Sequence, residues 1–178
     1  MPSRRWRIAL YSGAATGLGH MRRNLLIGQT IASSRLRADI LMVAESRQAG
    51  AFAMPPHMDC LTLPALHRRP DGRIEARHLD TLLDEILTLR ADVILSALRA
   101  FDPDVLIVDF FPRGRLGELE PTLKYLQAQG RTRLVLGLRD VLEECGVRYS
   151  PEVASISLPS GLTDAERRVR VVGDGMGQ

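Results

Sequence analysis

Five short runs of almost continuous apolar residues recur along this chain with helical patterns between them, and that alternation narrows the fold more than any other feature. The runs cover about residues 7–12, 40–43, 60–63, 105–108 and 134–138. A strand without polar alternation is buried on both faces, and strands separated by helices pair in parallel. The expected architecture is therefore α/β, a doubly wound parallel sheet in a single domain. Ligands of such sheets bind beyond the carboxyl ends of the strands. That rule collects Gly13 to His20, Glu45-Ser46, Asp109-Phe110-Phe111-Pro112 and Arg139-Asp140 along one edge.

The segments between the runs predict the remaining elements. Residues 20–34 read as a helix, and Pro55-Pro56 bars one further on. His67-Arg68-Arg69-Pro70-Asp71-Gly72-Arg73 reads as an exposed loop around an Asp-Gly turn. Residues 76–100 carry the longest amphipathic pattern, one helix or two, with the leucine stripe from Leu79 to Leu98 as core. Pro112-Arg113-Gly114-Arg115 turns the chain into a helix over 116–129, with Gly130 as its cap. The pattern then fades, so residues 1–142 form the expected domain and 143–178 a divergent, poorly ordered tail.

Composition excludes several function classes. The net charge of +3 comes almost wholly from arginine, Lys124 being the only lysine, and aromatics are 4%. Scattered positive charge with few stacking rings argues against nucleic-acid binding, while leaving room for peripheral contact with anionic headgroups. No apolar stretch has membrane-spanning length, and residues 1–6 do not open a secretory leader, so a cytoplasmic location is expected. Cys60 and Cys145 stand far apart, and no cluster has metal-ligand spacing. Neither a metal nor a cofactor is called for.

The working part is expected at Gly13-Ala-Ala-Thr-Gly17-Leu-Gly19-His20-Met21-Arg22-Arg23, where a strand turns into a helix. Glycines let the backbone approach a ligand closely, and a helix amino terminus suits an anion. Three chemistries compete for this turn. The glycine spacing matches short-chain dehydrogenases, with Glu45 placed to grip a ribose, but neither Tyr125 nor Tyr149 has a lysine four places on. A triphosphate-cradling loop fails because it would end in Gly-Lys-Ser or Gly-Lys-Thr, where this turn ends in Gly19-His20-Met21.

The third reading rests on His20. Gly17-Leu18-Gly19-His20-Met21-Arg22-Arg23-Asn24, with the strand before it, resembles the amino-terminal domain of GT-B glycosyltransferases. The likeness is to relatives of the peptidoglycan N-acetylglucosaminyltransferase and to uncharacterised bacterial glycosyltransferase-like proteins. It extends through Gln48 to Phe52, Asp71-Gly72-Arg73, Leu98 to Asp104 and Gly137 to Val141, about residues 7–142. Leu18 departs from the glycine of the lipid-linked acceptor enzyme.

The resemblance implies a Rossmann-like domain, one half of a GT-B pair, handling the acceptor side of sugar transfer from a nucleotide sugar to a hydroxyl. The donor would be held by a second Rossmann-like domain, missing or separate, so the chain is expected to be incomplete and inactive alone. His20 would be the general base, since an imidazole can take a proton near neutral pH. Gly17 and Gly19 would offer backbone N–H groups to an anionic group, and Arg22 or Arg23 would pair with acceptor phosphate. Adjacent arginines diverge by about 100° on a helix, so both cannot face one ligand. Asp109 and Asp140 would orient hydroxyls, or Asp109 would cap the next turn, and Arg139 would offset diphosphate charge. The expected partners are a nucleotide-sugar donor and a sugar or lipid-linked acceptor, with self-association through a face left uncovered by the second domain. A non-catalytic module binding an anion or a protein partner is the alternative.

Overall fold

The structure, a computed structural model, describes residues 4–13 and 19–137. Its centre is a five-stranded parallel sheet of order β3-β2-β1-β6-β7, built from β1 (Trp6–Ser12), β2 (Ala38–Ala44), β3 (Met58–Thr62), β6 (Val105–Asp109) and β7 (Arg133–Gly137). A separate antiparallel hairpin joins β4 (Leu66–Arg68) to β5 (Ile74–Ala76). Helices α1 (Gly19–Ala32), α2 (Leu83–Phe101) and α3 (Glu120–Gln129), with a short 3-10 helix at Arg47–Ala51, complete the described elements. This is a Rossmann-like α/β domain.

The apolar runs become strands because each alternate side chain enters a different core layer. Ile8 and Leu10 pack with Met42, Met21 and Leu25 beneath α1, whereas Ala9 and Tyr11 pack with Val43, Ile94, Leu98 and Leu126 beneath α2 and α3. Helices thus cover both faces, as all-parallel strands require. Helix α3 ends where Gly130 takes φ +69°, a left-handed cap that costs glycine nothing.

Three expectations change. Within the stretch expected as an exposed loop, residues 69–73 do form an exposed turn with Gly72 at φ +88°, but His67 and Arg68 belong to strand β4, whose three-residue run has almost no periodicity to show it. The long helical pattern is one helix beginning at Leu83, so Leu79 and Leu82 lie outside it and are 51% and 72% exposed rather than core. Residues 116–119 form the turn that precedes α3, since Pro121 belongs in a helix's first turn and places the start at Glu120. No helix among the described residues is long and apolar enough to cross a membrane.

Candidate functional site

Strand order fixes where a crevice can open. From β1 the chain crosses through α1 to β2 on one side, while β6 lies on β1's other side and leads on to β7. Connections leaving in opposite directions part at the carboxyl ends of β1 and β6, the switch point where open α/β sheets hold ligands. Ser12 and Asp109 are register partners there, and α1 begins at Gly19.

His20 and Asp109 meet across this gap, with His20 Nδ1 2.6 Å from Asp109 Oδ2. Arg23, one turn along the same helix face, donates to Asp109 Oδ1 at 3.1 Å. The carboxylate is 2% exposed and the imidazole 13%. An ionised carboxylate only accepts, so in the neutral imidazole Nδ1 would carry the proton and Nε2 the lone pair. Asp109 thereby sets the tautomer and orientation of an imidazole that can accept a proton at Nε2.

The geometry reassigns several residues. The Asp109 carboxylate is 2% exposed and is held by His20 and Arg23, and among the described residues no backbone N–H of the following turn reaches it. Arg23 has its guanidinium on that carboxylate, while Arg22 is exposed to solvent, so the two do not converge on one anion. Gly19 is the first residue of α1. Gly17, Arg139 and Asp140 lie outside the described residues, as do Cys145 and the segment 143–178.

Glu45 does not face a ribose. It is buried at 3% exposure, where its Oε1 accepts from the Leu66 N–H at 2.7 Å and lies 3.6 Å from Arg90 Nη1. It belongs to a buried network that sequence reading missed. Arg90 donates through Nη2 to Glu118 Oε1 at 2.8 Å and through Nη1 to the Pro64 carbonyl at 2.6 Å. Glu118 Oε2 takes the Leu116 N–H at 2.8 Å. Burial alone would raise the Glu118 carboxyl, but the Leu116 N–H, the guanidinium and the Tyr11 hydroxyl outweigh it and hold it below the usual carboxylate range. The Tyr11 phenol moves the other way, pushed well up by burial and then by the Glu118 charge. One signal for the network was in the sequence: Arg90 falls four residues from Ile86 and from Ile94, inside the buried stripe of α2. A charge at such a position must be paired.

The network braces the site from below. Tyr11 lies under Gly13, where an added Cβ would come within 2.6 Å of Tyr11 Oη. Arg90 ties together the segments that follow β2, β3 and β6 through Glu45, Pro64 and Glu118. Among the described residues, no group of three or more His, Cys, Asp or Glu side chains could hold a metal ion.

No protein-family model matches this chain, and no curated protein sequence does. Among solved structures, a Listeria monocytogenes protein assigned as a UDP-N-acetylglucosamine 2-epimerase aligns at a TM-score of 0.45 with 14% identity. That alignment covers 88% of this chain and 36% of the Listeria protein, so this chain spans well under half of its length.

Proposed function

We propose that this domain is the acceptor side of a sugar-transferring enzyme, with His20 as general base and Asp109 as the residue that holds it. The reading is carried by the 2.6 Å contact between His20 Nδ1 and Asp109 Oδ2 at the switch point of the sheet. It is supported by the resemblance of the turn and helix start to GT-B amino-terminal domains.

In this mechanism the acceptor hydroxyl gives its proton to His20 Nε2 as its oxygen attacks the anomeric carbon of a nucleotide sugar. The bond from that carbon to the diphosphate breaks, and the nucleotide diphosphate leaves with the electron pair. Asp109 stabilises the imidazolium that forms, and Arg23 keeps Asp109 in place. A positioned base of this kind contributes about 10²–10⁴-fold to rate. The donor nucleotide would be bound by a second Rossmann-like unit.

Calorimetric titration tests the proposal. The chain, His20→Ala and Asp109→Asn are titrated with UDP, UDP-sugars, NAD and undecaprenyl-type acceptor analogues. Acceptor binding that weakens in both variants, with no response to NAD, supports it. Tight NAD binding overturns it, because the turn would then serve a dinucleotide.

A further inference from the structure

Two surfaces of this domain carry opposite charge around exposed apolar side chains. The first is the outer side of α2 with the turn before it. Leu79, Leu82 and Leu89 are 51%, 72% and 44% exposed there, and the exposed carboxylates of Asp84, Glu85 and Asp92 stand among them. Those three acids, Thr88 and Leu89 line one shallow depression of about 460 Å³. The stretch 79–92 holds a single basic residue, Arg90, whose guanidinium is turned inward to Glu118. Among the described residues, no cation forms an ion pair with Asp84, Glu85 or Asp92.

The second surface is the amino edge of the sheet, where strand order gathers arginines that lie apart in the sequence. The Trp6 N–H donates to the Arg37 carbonyl at 2.8 Å, the Arg7 N–H to Asp104 Oδ2 at 2.8 Å and the Arg133 N–H to the Asp104 carbonyl at 2.9 Å. These bonds set Arg37, Trp6, Arg7 and Arg133 in one row along the edge. Asp104, Asp39 and Asp102 are already taken there by Arg4, Arg5 and Arg131. Arg35, Arg37 and Arg133 are exposed and make no ion pair among the described residues. Beside them Trp6 is 47% exposed and Leu36 41%.

We propose that the acidic, leucine-bearing side of α2 is the docking surface for the amino edge of a second copy of this chain. The two surfaces cannot meet within one molecule. Helix α2 ends at Phe101, beside the amino edge, and Asp92 and Asp84 lie roughly 14 and 26 Å back along its axis at 1.5 Å per residue. Between copies they match twice over, surplus arginines against unpaired carboxylates and Trp6 and Leu36 against Leu82 and Leu89. Five of the seven large apolar side chains left exposed among the described residues stand on these two surfaces, so one contact covers most of that exposure. Tryptophan and arginine are the residue types that anchor interfaces. An anionic membrane would take the arginine edge but would leave the leucines and acids of α2 uncovered. Because the two surfaces differ, the contact is heterologous and copies add head to tail. It uses neither His20 nor Asp109, so it stands apart from the reading of the candidate site.

Sedimentation velocity of the full chain tests this at about 0.1 and about 1 M NaCl, between which the screening length falls from roughly 10 to 3 Å. The expected result is a mass that rises with protein concentration at the lower salt and falls back at the higher. Trp6 is the chain's only tryptophan, so its emission should move to shorter wavelength as copies associate. The double variants Asp84→Arg/Asp92→Arg and Arg35→Glu/Arg37→Glu should each be monomeric with unchanged circular dichroism. Mixed in equal amounts they should associate again, since each keeps the surface that the other lacks and the two reversed surfaces are themselves opposite in charge. A parent chain that stays monomeric up to about 1 mM at the lower salt would overturn the proposal, because no contact of useful strength then exists. Association that survives in either double variant, or a folded mixture that forms no complex, would overturn the assignment of these surfaces. Phosphatidylglycerol vesicles that bind a monomeric parent would also overturn it and give the arginine edge to a membrane.

Discussion

Tyr11 Oη donates a 2.7 Å hydrogen bond to Glu118 Oε1, joining the end of the first strand to a loop 107 residues later. Both residues are buried, and the same carboxylate oxygen accepts from Arg90. This contact clamps the carboxyl end of β1 to the segment that follows Asp109, so the two sides of the candidate site share one brace.

That brace makes stability depend on pH at both ends of the scale. Glu118 is held below its ordinary value, so the unfolded chain binds its proton first as pH falls. The carboxylate's contribution is complete above the unfolded value of about 4.3 and is lost as pH drops through the lower folded value. Tyr11 is raised, so the unfolded chain loses its proton first as pH rises past about 10, and stability falls from there upward. Urea midpoints across the pH range should form a plateau falling at both ends. Glu118→Gln should flatten part of the acid limb and Tyr11→Phe part of the alkaline one.

Arg90→Met should destabilise the domain by about 3–5 kcal/mol, because it strands the buried Glu45 and Glu118 carboxylates without a counter-charge. Adding Glu45→Gln and Glu118→Gln should recover much of that loss, since the charges then disappear together. Chemical denaturation of the single and triple variants checks this, and equal instability in both would contradict it.

Gly13→Ala should cost about 1–3 kcal/mol, the range for overpacking, because its Cβ would press on a hydroxyl that Glu118 holds in place. Tyr11→Phe removes that hydroxyl at the cost of one hydrogen bond to a charged carboxylate, about 1.5–3 kcal/mol. The double variant should therefore be more stable than the two losses summed. An additive double-mutant cycle would place the strain elsewhere.

Asn24, on the buried face of α1, has both side-chain polar atoms buried without a hydrogen-bond partner among the described residues. Asn24→Leu, close in volume, should stabilise the domain by about 1–3 kcal/mol by removing the unmet polar groups. Thermal melting reads this directly, and a lower midpoint would show that the amide has a use the structure does not display.

Leu82 occupies the N-cap of α2 with extended backbone but no side-chain acceptor, while its own N–H already donates to Glu85 Oε2 at 3.1 Å. Leu82→Ser should complete the reciprocal capping pair and add about 0.5–2 kcal/mol. Because Leu82 is largely exposed, little packing is lost, and a fall in the urea midpoint would refute the expectation.

The parallel sheet was legible because the apolar runs are long enough to show their pattern, and Gly130 announced its helix end. The three-residue strands of the hairpin were not, since so short a run cannot display a period. The glycine turn and His20 were marked by their position between a strand and a helix, a local relation. Asp109 was placed on the correct edge by the strand rule, but its role was assigned to ligand hydroxyls.

Sequence by itself determined the class of fold, the polarity of the sheet and the edge on which His20 and Asp109 stand, because local periodicity and chain connectivity decide these. Only the tertiary structure decided that Asp109 grips His20 and Arg23, that Glu45 turns inward to Leu66 and Arg90, and that Tyr11 finds Glu118. Each is a contact between residues 21 or more positions apart. Its formation depends on strand order and helix rotation, which bring side chains within hydrogen-bonding distance only after the whole sheet has assembled.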